Sequence, residues 1–122
     1  MTDNCKLSDK KCGPCNKETL PLNQTQIEEC LLELPHWRLG LGEPTPNLQR
    51  TFVIRRAFVF KDFAETINFI NKMAIIAEAE GHHPDFLLHH YRKVDVTLTT
   101  HAINGLSEND FIVAAKIDNL VK

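Results

Sequence analysis

The apolar positions of this chain recur at helical spacing, then at strand spacing, and that alternation runs through the sequence twice before a final helix. Residues 1–22 are polar and broken by Gly13, Pro14 and Pro21, so this tail is expected to be ordered only in part. Asn23 or Thr25 can cap a first helix in which Ile27, Cys30, Leu31 and Leu34 share a face, and Pro35 ends it. Trp37-Arg38-Leu39 can start a short strand, and Gly40 to Asn47, with Gly42, Pro44 and Pro46, reads as a loop. From Leu48 to Phe60 the pattern is extended. Phe52, Ile54, Phe58 and Phe60 share one parity and Arg55 lies on the other. Arg56 interrupts the apolar parity, which predicts a bend or bulge near Arg55-Arg56.

Asp62 caps a long second helix from Phe63 to about Glu80, and Gly81 suits the left-handed residue that stops it. Phe63, Ile67, Ile70, Ala74 and Ala77 form one apolar stripe. Phe69, Met73 and Ile76 widen it beyond one core face, which points to a subunit contact. Phe86–Tyr91 and Val94–Thr100 read as two strands joined tightly at Arg92-Lys93. In the second, Val94, Val96 and Leu98 oppose Asp95, Thr97, Thr99 and His101. After an Asn104-Gly105 turn, Ser107 caps a last helix, with Asp110 in its first turn and Phe111, Ala114, Ala115, Asp118 and Val121 following. The expected fold is α+β, a single domain ordered α-β-β-α-β-β-α, with a four-stranded antiparallel sheet and helices packed on one face. The domain runs over residues 23–122, behind the tail of residues 1–22.

Composition narrows the function more than the fold. The 122 residues suffice for one core, and 43% apolar with 25% charged residues is ordinary for a globular protein. A net charge of -2 without any Lys/Arg run argues against direct nucleic-acid binding. No apolar run approaches the roughly 20 residues that cross a bilayer, and Met1–Lys6 lacks an apolar signal region. A cytoplasmic chain, with a nuclear one also allowed, is the expectation. Four cysteines, Cys5, Cys12, Cys15 and Cys30, lie in the first quarter. Cys12-Gly13-Pro14-Cys15 has the letters of a redox loop but lacks the preceding strand and following helix that such a loop needs. A four-thiol zinc knot fits poorly with the Cys5 spacing. Plain reduced thiols on a flexible tail suit the sequence best.

The chemistry concentrates between Glu78 and His101, where five of the six histidines fall. His82 and His83 follow a helix C-terminus, where the macrodipole favours the imidazolium form. His101 lies at a strand end on the polar face. If the sheet brings that end beside the helix terminus, three imidazoles and two carboxylates, Glu78 and Asp110, line one cleft able to donate and accept protons. His36, His89 and His90 read as solvated or core residues. An all-histidine metal site is the main rival. Adjacent rings point apart, however, and no H-E-x-x-H pattern is present. Nucleophilic catalysis lacks a cysteine or an elbow serine beside the cluster.

The run Glu78-x3-His82-His83-Pro84-x6-Tyr91-x9-His101-x8-Asp110 resembles the signature of the pterin-4a-carbinolamine dehydratases. Arg56-x-Phe58-x-Phe60-Lys61-Asp62-Phe63, Thr100-His101, Gly105-Leu106-Ser107 and Trp37 support the likeness, which covers roughly residues 23–122. The stretch between Pro84 and Tyr91 is one residue longer than the family pattern. The resemblance implies a dehydratase, needing neither cofactor nor metal, that turns a 4a-hydroxytetrahydrobiopterin into quinonoid dihydrobiopterin and water. It places the family's catalytic histidines on His82, His83 and His101. Glu78, Pro84, Thr100 and Asp110 also match, and Phe86 stands where a tryptophan is common, offering an aromatic face to the pterin. In that chemistry His82 and His101 are expected to exchange protons from opposite faces of the ring while His83 holds the pterin. Asp110 or Glu78 would orient an imidazole or pair with the aminopyrimidine edge. The resemblance also implies a homodimer or homotetramer. As a second class, it allows an interaction protein of the kind that partners a homeodomain transcription factor through its helices.

Overall fold

The computed structural model describes residues 7–10, 12–13, 20–44 and 50–122. Cys5, Pro14, Cys15, Pro46, Asn47 and Leu48, and with them most of the redox-loop and zinc-knot expectations, lie outside the described residues. Helix α1 (Gln24–Leu31) starts at Asn23, whose side chain accepts from the Gln26 backbone N–H while the Gln26 side chain accepts from the Asn23 N–H. The helix stops four residues before Pro35. Strand β1 (Arg38–Leu41) runs on through Gly40, which the sequence pattern had assigned to a loop. Pairing with β2 (Phe52–Val59) from Arg38↔Arg55 to Leu41↔Phe52 overrides the local glycine signal.

Helix α2 (Phe63–Glu80) is capped by Asp62 and stopped by Gly81 at φ 65°, a left-handed conformation that favours glycine. Strands β3 (Asp85–His89) and β4 (Lys93–Leu98) and helix α3 (Glu108–Asp118) complete the fold. All neighbours in the sheet are antiparallel, in the order β1-β2-β4-β3. The β3–β4 connection turns at His90 and Tyr91, both with positive φ, two residues earlier than the expected Arg92-Lys93 joint. No described helix is long and apolar enough to cross a membrane.

The expected bulge at Arg55-Arg56 is absent. Register between β2 and β4 is unbroken from Ile54↔Leu98 to Val59↔Lys93. Arg56 keeps the inward parity because its guanidinium finds a partner there. Its NH1 lies 2.6 Å from Asp118 Oδ1, on an oxygen that also accepts from Trp37 Nε1 at 2.8 Å, and it sits 4.3 Å over the Phe58 ring.

Ile54, Phe58, Val94, Val96 and Leu98 form the inward face of the sheet, in one cluster with Ile27, Trp37, Phe69, Met73 and Phe111. Helix α3 is buried over most of its surface: Asn109 to Ala115 and Ile117 are all buried. Truncating Phe111 to alanine is expected to cost about 3–5 kcal/mol. On α2 the buried stripe is Thr66, Phe69, Met73 and Ala77, so the helix is rotated from the expected one: Phe63 and Ala74 are exposed and Ile67 half-buried. Apolar residues encircle much of this helix, and periodicity alone cannot say which stripe meets the sheet.

The amino-terminal segment also departs from expectation. Leu7, in a 3-10 turn over Leu7–Asp9, is 4% exposed within the core, and the turn packs on α3. Leu22 N–H donates to Leu106 O, just before the start of α3.

Candidate active site

Gly81 ends α2 and hands the chain to His82 and His83 at the helix's negative end. The site's second element is the start of α3. Asp110 stands three residues after the Ser107 cap, and its Oδ2 accepts from the Ser107 backbone N–H at 3.0 Å and from Thr100 Oγ1 at 2.7 Å. Ser107 Oγ lies 2.8 Å from Thr100 Oγ1. The remaining oxygen, Oδ1, is 2.6 Å from His82 Nε2. Asp110 is 0% exposed, and so a fully buried carboxylate is satisfied by an imidazole, a hydroxyl and an amide. This arrangement fixes the His82 ring and leaves Nδ1 as its other proton site.

His83 is held differently. Its Nε2 lies 2.7 Å from Glu78 Oε2, one helical turn back, and both side chains are largely exposed. His101 opens a 3-10 turn over His101–Ile103 instead of ending a strand, because β4 stops at Leu98 and Thr100 bridges to Gly105. Its ring is exposed, with no hydrogen bond to the described residues. Thr100, which the resemblance matches as a substrate-binding position, is 5% exposed and committed to Asp110.

A cleft of about 540 Å³ collects His82, His83, Thr100 and His101. Of the other residues singled out in the sequence, Asp110 lies beneath the cleft and Glu78 reaches it through His83, whereas Pro84 and Phe86 do not line it. Phe86 is 48% exposed on the edge strand β3. A comparable hollow of about 490 Å³ by Arg56 and Asp118 contains only His36 among the imidazoles, and its ion pair is already satisfied.

Sequence reasoning did not place Cys12, Gly13, Glu80, Ala102 or Asn109 in the cleft. Cys12 N–H donates to Glu80 Oε1 at 2.8 Å, and Lys116 Nζ lies 2.6 Å from Glu80 Oε2. The Lys116 hydrogen bond, helped by the Cys12 amide, holds the Glu80 carboxyl below its ordinary range. Burial, and then the Glu80 charge, push the Cys12 thiol up to about 12, so it stays protonated at neutral pH. The one hint in the sequence was Leu7, an apolar residue in a polar tail.

Comparison with known proteins supplies a second line of information. A family profile described as pterin 4 alpha carbinolamine dehydratase matches residues 20–120. A protein of Halorhodospira halophila, provisionally named as a pterin-4-alpha-carbinolamine dehydratase, is 41% identical over 93% of this chain and 96% of its own length. A protein of Arabidopsis thaliana named pterin-4-alpha-carbinolamine dehydratase 2, mitochondrial, is 40% identical over 93% of this chain and 58% of its own length. Among solved structures, a transcriptional coactivator/pterin dehydratase from Brucella melitensis superposes with a TM-score of 0.72 at 33% identity, covering 84% of this chain and 99% of that one. A pterin dehydratase-like protein described as a RuBisCO assembly factor in the alpha-carboxysome matches with a TM-score of 0.54 at 27% identity, covering 69% and 87%.

Proposed function

The chain belongs to the pterin 4 alpha carbinolamine dehydratase family, and from that premise we propose that it eliminates water from a 4a-hydroxytetrahydropterin to give the quinonoid dihydropterin. One observation supports this reading above the rest: imidazoles from two distant stretches line a single cleft, one of them locked by a buried carboxylate. The carbinolamine carbon loses its hydroxyl slowly unless a general acid protonates the leaving oxygen. The neighbouring ring nitrogen then pushes its lone pair into a new C=N bond, and a base takes that nitrogen's proton. One proton is delivered and one removed, so the enzyme ends unchanged. Positioned acid-base groups contribute about 10²–10⁴-fold.

In this proposal His82 and His101 exchange the protons. Asp110 does not touch the pterin. It balances the imidazolium charge at His82 and directs Nδ1 toward the cleft, with Thr100 and Ser107 holding the carboxylate in place. His83, steadied by Glu78, binds the pterin from the rim. The test is stopped-flow dehydration of a synthetic 4a-hydroxytetrahydropterin. Single His82→Ala and His101→Ala variants should lose about 10²–10⁴-fold in turnover with circular dichroism unchanged. Undiminished turnover in both variants would overturn the assignment.

A second reading rests on α2, where Phe63 is 52% and Ile75 70% exposed. These residues suit a helical contact in a homodimer, a homotetramer or a complex with another protein. The names of the Brucella protein and the assembly factor lend that reading support. Binding lost on Ile75→Glu but kept in His82→Ala would favour the interaction role.

A further inference from the structure

The amino-terminal segment is anchored to the domain at four points, the last two of them at the cleft rim. Leu7 is seated in the core, and Lys10 Nζ lies 2.9 Å from Glu108 Oε2. The Cys12 N–H is bound by Glu80, itself held by Lys116. Gly13 and Asn109 exchange two hydrogen bonds: the Gly13 N–H donates to Oδ1 at 3.0 Å, and Nδ2 donates to the Gly13 carbonyl at 2.7 Å.

These contacts are more specific than the burial of a stray tail requires. Asn109 is 8% exposed and the Glu80 side chain 7% exposed. Without Cys12 and Gly13, the Asn109 amide fork and a Glu80 oxygen beside the histidines would lose these hydrogen bonds. Both side chains grip backbone groups, so they set where the segment runs whatever side chains it bears. Both Glu80 oxygens are engaged, which makes this carboxylate an anchor and leaves proton transfer to the imidazoles.

We infer that Cys12 and Gly13 form a wall of the pterin cleft, and that Asn109 and Glu80 are positioning residues that hold this strap against the bound heterocycle. The inference deepens the proposed function and rests on it. A wall of this kind adds affinity without moving protons, so its signature is in KM and not in kcat.

The test uses the full chain with Cys5→Ser, Cys15→Ser and Cys30→Ser, which leaves Cys12 as the sole thiol, labelled with N-ethylmaleimide. Dihydrobiopterin at about ten times its dissociation constant should slow labelling about tenfold. Equal rates with and without the pterin overturn the wall. In parallel, Asn109→Ala should raise KM about 3–10-fold, the cost of two lost hydrogen bonds. Its kcat should stay within about twofold, and Cys12 should label faster without pterin. An unchanged KM, or a fall confined to kcat, overturns the positioning role. Should that variant fail to fold, Glu80→Gln, which keeps the shape and weakens the Cys12 and Lys116 bonds, is expected to show the same split on a smaller scale. A wild-type chain that binds no dihydrobiopterin overturns the proposed function and this inference together. Binding that depends on His82 beside an unprotected Cys12 sinks the strap alone.

Discussion

The chain contains two adjacent histidine pairs seven residues apart, and only one is built into a site. His82 and His83 each meet a carboxylate, the first a fully buried one shared with Thr100 and Ser107, and both line the cleft. His89 and His90 sit at the β3–β4 turn and meet each other, Nδ1 to Nδ1 at 2.8 Å. His89 Nε2 comes within 3.0 Å of Asp95 Oδ2 but lacks the alignment of a hydrogen bond. Adjacency therefore says little about function. A ring becomes useful chemistry when a desolvated group from another element fixes its orientation and a cavity leaves its second nitrogen free.

The largest test of this contrast is a direct exchange of targets. His82→Ala should lower kcat/KM about 10²–10⁴-fold, while His89→Ala and His90→Ala stay within about twofold, by stopped-flow dehydration. Equal losses at both pairs would erase the distinction. Next comes Asp110→Asn, which keeps the shape but removes the charge that balances His82. Turnover should fall about 10²-fold, and urea denaturation should show about 1–3 kcal/mol of lost stability, because a buried network is left mismatched.

A smaller effect concerns the rim. Glu80 has a folded value below its ordinary 4.5, so its stabilising contribution is complete above that pH and is lost as pH falls toward the folded value. Glu80→Gln should therefore be less stable than wild type at neutral pH, with the gap narrowing as pH falls below 4.5 toward the folded value in paired urea titrations. A gap that widens in acid would contradict the Lys116–Glu80 pairing. The smallest expected effect is none: a chelator should leave turnover unchanged, because in the proposed reaction imidazoles move the protons. Loss on chelation, restored by a metal, would return the all-histidine metal reading to contention.

Much of the fold was legible because its signals are local. Asp62 and Gly81 bracket α2 at the expected residues, Asn23 and Ser107 cap their helices, and Val94, Val96 and Leu98 point inward as alternation requires. The misreadings share one cause, a partner far away in the chain. Arg56 looked like a break in parity because Asp118 lies 62 residues on. The α2 stripe was chosen wrongly because the sheet, not the helix, decides which apolar side is covered. His101 was assigned to a strand because the Thr100–Gly105 bridge that turns it aside is invisible to a period-two pattern.

The histidines, their spacing and the flanking caps were determined by sequence alone, since a capping side chain or a left-handed glycine acts within a few residues. Tertiary structure decided what those rings meet. It put Asp110 under His82, withdrew Thr100 into the same buried network, kept Phe86 out of the cleft and brought Cys12 and Gly13 into it. Such contacts depend on the register of a sheet and the seating of helices upon it. Their energies come from burial shared across the whole core, so no short stretch of sequence encodes them.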